Sequence, residues 1–325
     1  MPEPAIAVEG LQKRFGDVVA LDGINFEVPP ASVFGLLGPN GAGKTTAVRV
    51  LTTLLRPDAG RASVLGLDVV EQPEKVRARI GLAGQYAAVD GNLTGRENLR
   101  LIGRLTHLPA GMIEDRATEL LDGFDLADAA DRPARTYSGG MRRRLDLCAA
   151  LVHRPPVLFL DEPTTGLDLY SRKQLWAVIE NLQSEGTTLL LTTQYLEEAD
   201  HLADDIVVID RGQVIAQGAP AQLKSRIGGT VVEVGFPDAG AARRAHSVVA
   251  KFACRPPEVD GTEVRFEVTD GARVLVDALR TLDGEGLAPE TIAVREPSLD
   301  DVFLALTGRR VEPEETTQDA ERGAA

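Results

Sequence analysis

An α/β domain with a largely parallel sheet and a helical insertion, followed by a small α+β domain, is the architecture this sequence predicts. Three observations carry it. Residues 5–230 alternate short apolar, β-branched runs with stretches of helical periodicity. Residues 90–135 break that alternation. There Leu99, Leu101, Ile102 and Leu105, then Ile113, Leu120 and Leu121, recur at helical spacing with no strand between them. Beyond Gly228-Gly229 the order strand, helix, strand, strand, helix, strand is that of a ferredoxin-like sandwich.

Taken in order, residues 32–37 are a short apolar strand ending in a glycine-rich run, and residues 48–55 carry helical spacing. Residues 57–60, Pro-Asp-Ala-Gly, read as a turn. Residues 155–161, 187–193 and 205–210 are buried-strand candidates, and Arg211-Gly212 marks a hairpin into residues 214–216. In the second domain, residues 230–236 and 291–295 read as strands, and 239–252 and 272–282 as helices. Residues 255–260 and 262–269 pair through Asp260-Gly261. A final helix over 298–306 starts at the N-cap candidate Ser298 and places Leu299, Val302, Phe303 and Leu306 on one face. The expected domains are therefore 1–228 and 229–308, with a disordered acidic tail over 309–325.

Composition bounds the function. A chain of 325 residues suggests about two domains. Lys and Arg total 35 against 49 Asp and Glu, a net charge of −14 that disfavours a nucleic-acid coat or a polybasic membrane anchor. No run approaches membrane-spanning length, and Met1-Pro2-Glu3-Pro4 does not open a signal peptide. A cytoplasmic protein is expected. The two cysteines, Cys148 and Cys254, are too few for a disulfide scaffold or a cysteine zinc site, and both read as small core residues. His107, His153, His201 and His246 are scattered and read as structural or surface residues.

Gly38-Pro39-Asn40-Gly41-Ala42-Gly43-Lys44-Thr45, followed by Thr46, matches G-x-x-x-x-G-K-[ST] in full, with a strand before and a helix after. Glycines let successive backbone N–H groups point inward at phosphate oxygens, and the helix adds the positive end of its dipole. Lys44 is a point charge for the β- and γ-phosphates, and the Thr45 hydroxyl is a Mg²⁺ ligand. Downstream, the apolar strand ending at Leu160 runs into Asp161 and Glu162. Two carboxylates at the end of a buried strand need a use. Asp161 is read as the metal holder, and Glu162 as the group that polarises the attacking water. A nucleoside triphosphatase follows from the two motifs together.

Thr136-Tyr137-Ser138-Gly139-Gly140-Met141 opens a further helical pattern. Ser-Gly-Gly at a helix start is a second anion cradle. One nucleotide does not need two cradles in one chain, so each copy is expected to cradle the γ-phosphate held by another. This resembles the signature motif of ATP-binding cassette (ABC) ATPases, with Tyr137 for the family's Leu and Met141 for its Gln. The resemblance implies ATP and Mg²⁺, a head-to-tail homodimer, and no nucleic-acid partner. It implies that Phe15 stacks on adenine, that Gln85 links Mg²⁺ to the helical insertion, and that Asp168, in Gly166-Leu167-Asp168, crosses the dimer interface. Gln194 stands where the family usually has a His that contacts the γ-phosphate, and it can donate through its amide without carrying a proton.

Residues 5–308 resemble one subgroup, the daunorubicin-resistance ATPases, including the ending Pro297-Ser298-Leu299-Asp300-Asp301-Val302-Phe303. That implies the ATPase subunit of a drug or antibiotic exporter. It would sit on the inner face of the cell membrane through a separate multi-span permease. Alternatives are a soluble ABC ATPase of translation or DNA repair, an importer ATPase, and an exporter of lipid or other cargo. The soluble ATPases usually carry two cassettes or a long coiled-coil insertion, which this chain lacks between its phosphate loop and its signature.

Overall fold

The first strands, β1 (Ile6–Phe15) and β2 (Val18–Val28), form an antiparallel hairpin. The computed structural model describes residues 3–84, 89–227, 230–268, 271–295 and 297–307. The expected links through Gln85, the Gly228-Gly229 step and the 309–325 tail lie outside the described residues.

In chain order there follow β3 (Val33–Leu37), α1 (Lys44–Leu51), β4 (Ala59–Val64), β5 (Leu67–Asp68), α2 (Pro73–Arg77) and β6 (Ile80–Ala83). The insertion supplies α3 (Gly95–Leu105) and α4 (Ala110–Gly123). Then come α5 (Gly139–Leu151), β7 (Val157–Asp161), α6 (Leu169–Ser184), β8 (Thr188–Thr193), α7 (Leu196–Leu202), β9 (Asp205–Asp210) and β10 (Gln213–Gly218).

Two sheets result. The six-stranded sheet has the order β10-β9-β3-β8-β7-β6 and is parallel from β9 to β6, with β10 antiparallel at its edge. The second, β2-β1-β4-β5, is wholly antiparallel. The expectation of one largely parallel sheet from residue 5 onward therefore holds only for the six-stranded sheet. The turn read at 57–60 is also cut short, because β4 starts at Ala59.

Every residue of β3, β7 and β8 is buried, and the apolar run of each is unbroken by charge until its end: residues 33–37, 157–160 and 189–191. The period-2 pleat then divides them. Leu158 and Leu160 join the core shared with the insertion and α6. Val157 and Phe159 join the core shared with the antiparallel sheet and α1. Burying each such Leu or Phe stabilises the domain by roughly 1.5–3 kcal/mol. The insertion starts at a capping box in which Thr94 Oγ1 accepts from the Glu97 N–H and Glu97 accepts from the Thr94 N–H.

A second compact unit begins at Pro220. It holds α8 (Pro220–Ile227), β11 (Thr230–Gly235), α9 (Ala239–Val249), β12 (Glu258–Asp260), β13 (Glu263–Val268), α10 (Gly271–Gly284), β14 (Thr291–Arg295) and α11 (Leu299–Thr307). Its sheet order, β12-β13-β11-β14 and antiparallel throughout, is that of a ferredoxin-like sandwich. The unit starts ahead of the Gly228-Gly229 step because α8 packs on α11. Ser298 caps α11, exchanging bonds with Asp301. Leu299, Val302 and Phe303 are buried, but Leu306 is 46% exposed and does not share their face's burial. Cys148 is a core residue; Cys254 is exposed, contrary to expectation.

Candidate nucleotide site

The loop between β3 and α1 is shaped by backbone crowding. Gly38 has φ +155°, and a Cβ there would lie 2.1 Å from the Ile209 carbonyl oxygen. Gly43, at φ +111°, would place one 2.4 Å from the Ala20 oxygen. Only glycine fits either place. The intervening Pro39, Asn40, Gly41 and Ala42, with Lys44, Thr45 and Thr46, line a cavity of about 240 Å³ that Glu162 closes on one side.

Lys44 is 4% exposed, and its Nζ donates to the carbonyls of Gly38 at 2.7 Å and Pro39 at 3.2 Å. Burial pulls its ammonium below the usual lysine range, opposed by the charges of Glu162 and Asp161. The nearest carboxylate oxygen, Glu162 Oε1, lies 3.8 Å from Nζ.

Asp161 ends β7, and the parallel register sets it beside Thr192 of β8. Thr192 Oγ1 donates to Asp161 Oδ1 at 2.6 Å, and Thr45 Oγ1 donates to the same oxygen at 3.3 Å. The Glu162 N–H in turn donates to Thr192 Oγ1 at 3.0 Å. Glu162 has φ +51°, rare for a residue with a Cβ, and Thr165 Oγ1 donates to its Oε2 at 3.4 Å. Thr45 and Asp161 offer hard oxygen donors side by side, which is the chemistry Mg²⁺ prefers. Gln194 follows β8 and is 6% exposed. Phe15 ends β1 at 49% exposure, so it is not a core residue.

The expected second cradle is elsewhere. Ser138 is the N-cap of α5, with its Oγ accepting from the Met141 N–H at 3.2 Å; Gly139 and Gly140 are the helix's first residues. None of the three lines the phosphate-loop cavity. Asp168 caps α6, accepting from the Ser171 N–H at 2.7 Å, a bond that holds its carboxyl below the usual range. Gly139, Arg143, Glu162, Thr165 and Gly166 border a second cavity of about 310 Å³, so the two cavities share Glu162.

Sequence reasoning gave no role to Thr192 or Arg143. The signal for Thr192 was the strand register, which pairs it with Asp161. The signal for Arg143 was its place one turn after the signature glycines.

A lysine-bearing phosphate loop facing two carboxylates at the end of a parallel strand defines a P-loop nucleoside triphosphatase. Residues 21–165 match the ABC transporter family, and residues 218–307 match the C-terminal domain of DrrA1-3-like ATP-binding proteins. Daunorubicin resistance ATP-binding protein DrrA2 of Streptomyces coeruleorubidus is 55% identical, covering 97% of this chain and 99% of its own. Daunorubicin/doxorubicin resistance ATP-binding protein DrrA of Streptomyces peucetius is 47% identical over 98% of this chain and 97% of its own. Among solved structures, an ATP-binding subunit of an ABC transporter superposes with a TM-score of 0.63 at 26% identity, over 68% of this chain and 92% of its own. An ABC cassette in its ADP conformation gives 0.62 at 26%, with coverage of 68% and 92%.

The chain belongs to the ATP-binding subunits of ABC transporters, in the group that carries the DrrA1-3-like C-terminal domain. It is an ATPase subunit of an exporter, it binds ATP, and its hydrolysis is coupled to transport. Subunits of this kind dimerise and pair with membrane subunits. Among the described residues, no helix is long and apolar enough to cross a membrane.

Proposed function

We propose that the chain powers export of a hydrophobic drug or antibiotic through a separate multi-span membrane subunit, working from the inner membrane face as a head-to-tail homodimer. The drug-resistance names of the relatives support the cargo class. The observation that carries the chemistry is the placement of Glu162 Oε1 3.8 Å from Lys44 Nζ, at the edge of the phosphate-loop cavity.

The loop N–H groups and Lys44 hold the β- and γ-phosphates, and the Phe15 ring stacks on adenine. Thr45 and Asp161 would hold Mg²⁺, with Gln85 completing its link to the insertion; the ion neutralises charge on the phosphate oxygens when bound. Thr192 keeps the Asp161 carboxylate turned toward Thr45. Glu162 accepts a proton from the attacking water, and the Gln194 amide donates toward the γ-phosphate. Ser138, Gly139 and Gly140 of a second copy cradle that same γ-phosphate, while Asp168 lies across the interface.

Glu162→Gln keeps size and hydrogen bonding and removes the accepting charge. ATP affinity should stay within about twofold, while hydrolysis falls by about 10²-fold or more, the usual contribution of a positioned base. Gel filtration with ATP and Mg²⁺ should then show a persistent dimer. Hydrolysis at the parent rate would remove Glu162 from the mechanism.

A further inference from the structure

Arg143 lies one turn into α5, and its side chain is 13% exposed. Its guanidinium donates to the carbonyl oxygens of Asp161 at 3.1 Å, Glu162 at 2.9 Å and Pro163 at 2.8 Å, and also to that of Gly84. The Asp146 carboxylate, one helical turn on, lies 3.6 Å away. Burial lowers the Arg143 pKa, and Asp146, Asp161, Glu198 and Glu162 oppose that shift. A guanidinium stays protonated in proteins.

Three consecutive carbonyls converge on one side chain because Glu162 is left-handed, with φ +51°. That conformation costs an L-residue about 1–2 kcal/mol, which neighbouring contacts must offset. A planar fork with five N–H donors suits several carbonyls at once; an ammonium, a compact point charge, does not. Arg143 thus compensates the one unfavourable backbone turn in the site, and that turn decides where the Glu162 carboxylate points.

We infer that Arg143 is a positioning residue: by gripping the carbonyls of Asp161, Glu162 and Pro163 it aims the Glu162 carboxylate and ties it to the signature helix. The inference rests on Glu162 being the base and on Ser138–Gly140 cradling the ATP of a second copy. On that reading, the helix that feels one nucleotide holds the base that acts on the other. The shared cavity bordered by Gly139, Arg143 and Glu162 is where the two meet.

A double-mutant cycle in the full-length protein tests this. Arg143→Lys should lower kcat by about 10-fold, the order of a misplaced base, with KM for ATP changed by less than about twofold. In the Glu162→Gln background, the same substitution should change single-turnover hydrolysis by less than about twofold, because the group it aims is already gone. An equal fold-loss in both backgrounds would overturn the proposal, as would a raised KM at unchanged kcat or full activity of Arg143→Lys. Failure of the underlying reading shows separately, as parental hydrolysis by Glu162→Gln alone. Equilibrium ATP binding without Mg²⁺ reports that each variant is folded. If Arg143→Lys fails that check, Arg143→Gln, which keeps two N–H donors, is carried through the same cycle.

Discussion

Thr192→Val is isosteric and removes a single hydroxyl from a fully buried site. That hydroxyl donates to Asp161 Oδ1 at 2.6 Å and accepts from the Glu162 N–H at 3.0 Å. The N–H keeps a second acceptor, the Thr192 carbonyl at 3.1 Å, so its loss is partial. Asp161 keeps only the longer Thr45 bond at 3.3 Å among the hydroxyl bonds to that oxygen. A hydrogen bond to a buried charged group contributes roughly 1.5–3 kcal/mol. The expected destabilisation without nucleotide is therefore about 2 kcal/mol. At about 2–4 °C per kcal/mol for a domain of this size, the melting transition drops by about 4–8 °C. Calorimetry on the parent, Thr192→Val and Thr192→Ser measures it, with the serine, which keeps the hydroxyl, expected to lose only the roughly 1 kcal/mol of the missing buried methyl. A valine cost below about 0.5 kcal/mol would refute the claim that this hydroxyl holds Asp161.

Two further outcomes are expected. His153 Nε2 faces the Ile80 carbonyl at 3.0 Å, and burial lowers its pKa from 6.5, with Arg116 adding to the effect and the Ile80 bond opposing it. As pH falls, the unfolded chain takes the proton first, so stability present above about pH 6.5 is lost on the way down through the folded value. His153→Gln should then show a smaller melting-temperature drop than the parent between about pH 7.5 and pH 5; an equal drop would exclude the residue. At the start of α3, a Cβ on Gly95 would lie 2.4 Å from Tyr137 Oη, whose hydroxyl donates to the Ala129 carbonyl at 2.6 Å. Gly95→Ala should cost about 1–3 kcal/mol in urea unfolding, and Tyr137→Phe should recover part of it. No recovery in the double variant would place the strain elsewhere.

Much of this was legible in the sequence because the motifs are local. The strand–glycine loop–helix unit and the acidic end of β7 each need only a short stretch of chain; the acidic end falls where expected, while the helix is Lys44–Leu51, four residues ahead of the spacing read at 48–55. The βαββαβ order survived for a similar reason, since a tight turn at Asp260-Gly261 and two amphipathic helices mark it. The antiparallel sheet was not legible. The β1 pairing with β2 carries register shifts between Val8 and Leu11 and again near Lys13, which break the period-2 pattern that identifies a half-buried strand. Thr192 and Arg143 were hidden for another reason. Their partners lie 31 and 18 to 59 residues away, and only sheet register or helix docking brings them close. Leu306 followed the apolar periodicity of α11 but lies past the part of that face that is buried.

The crowding at Gly38 and Gly43 has a thermodynamic consequence. With the Ile209 and Ala20 carbonyls packed against the loop, its backbone is braced by neighbouring strands. ATP therefore meets a cradle that needs little ordering, and the entropic penalty of fixing a loose loop does not arise. In the head-to-tail homodimer we propose, more of the intrinsic binding energy would be left for bringing two protomers together around the triphosphate. In that proposed dimer, a rigid receptor for the tail of the nucleotide would let a small molecule act as the glue of a much larger assembly.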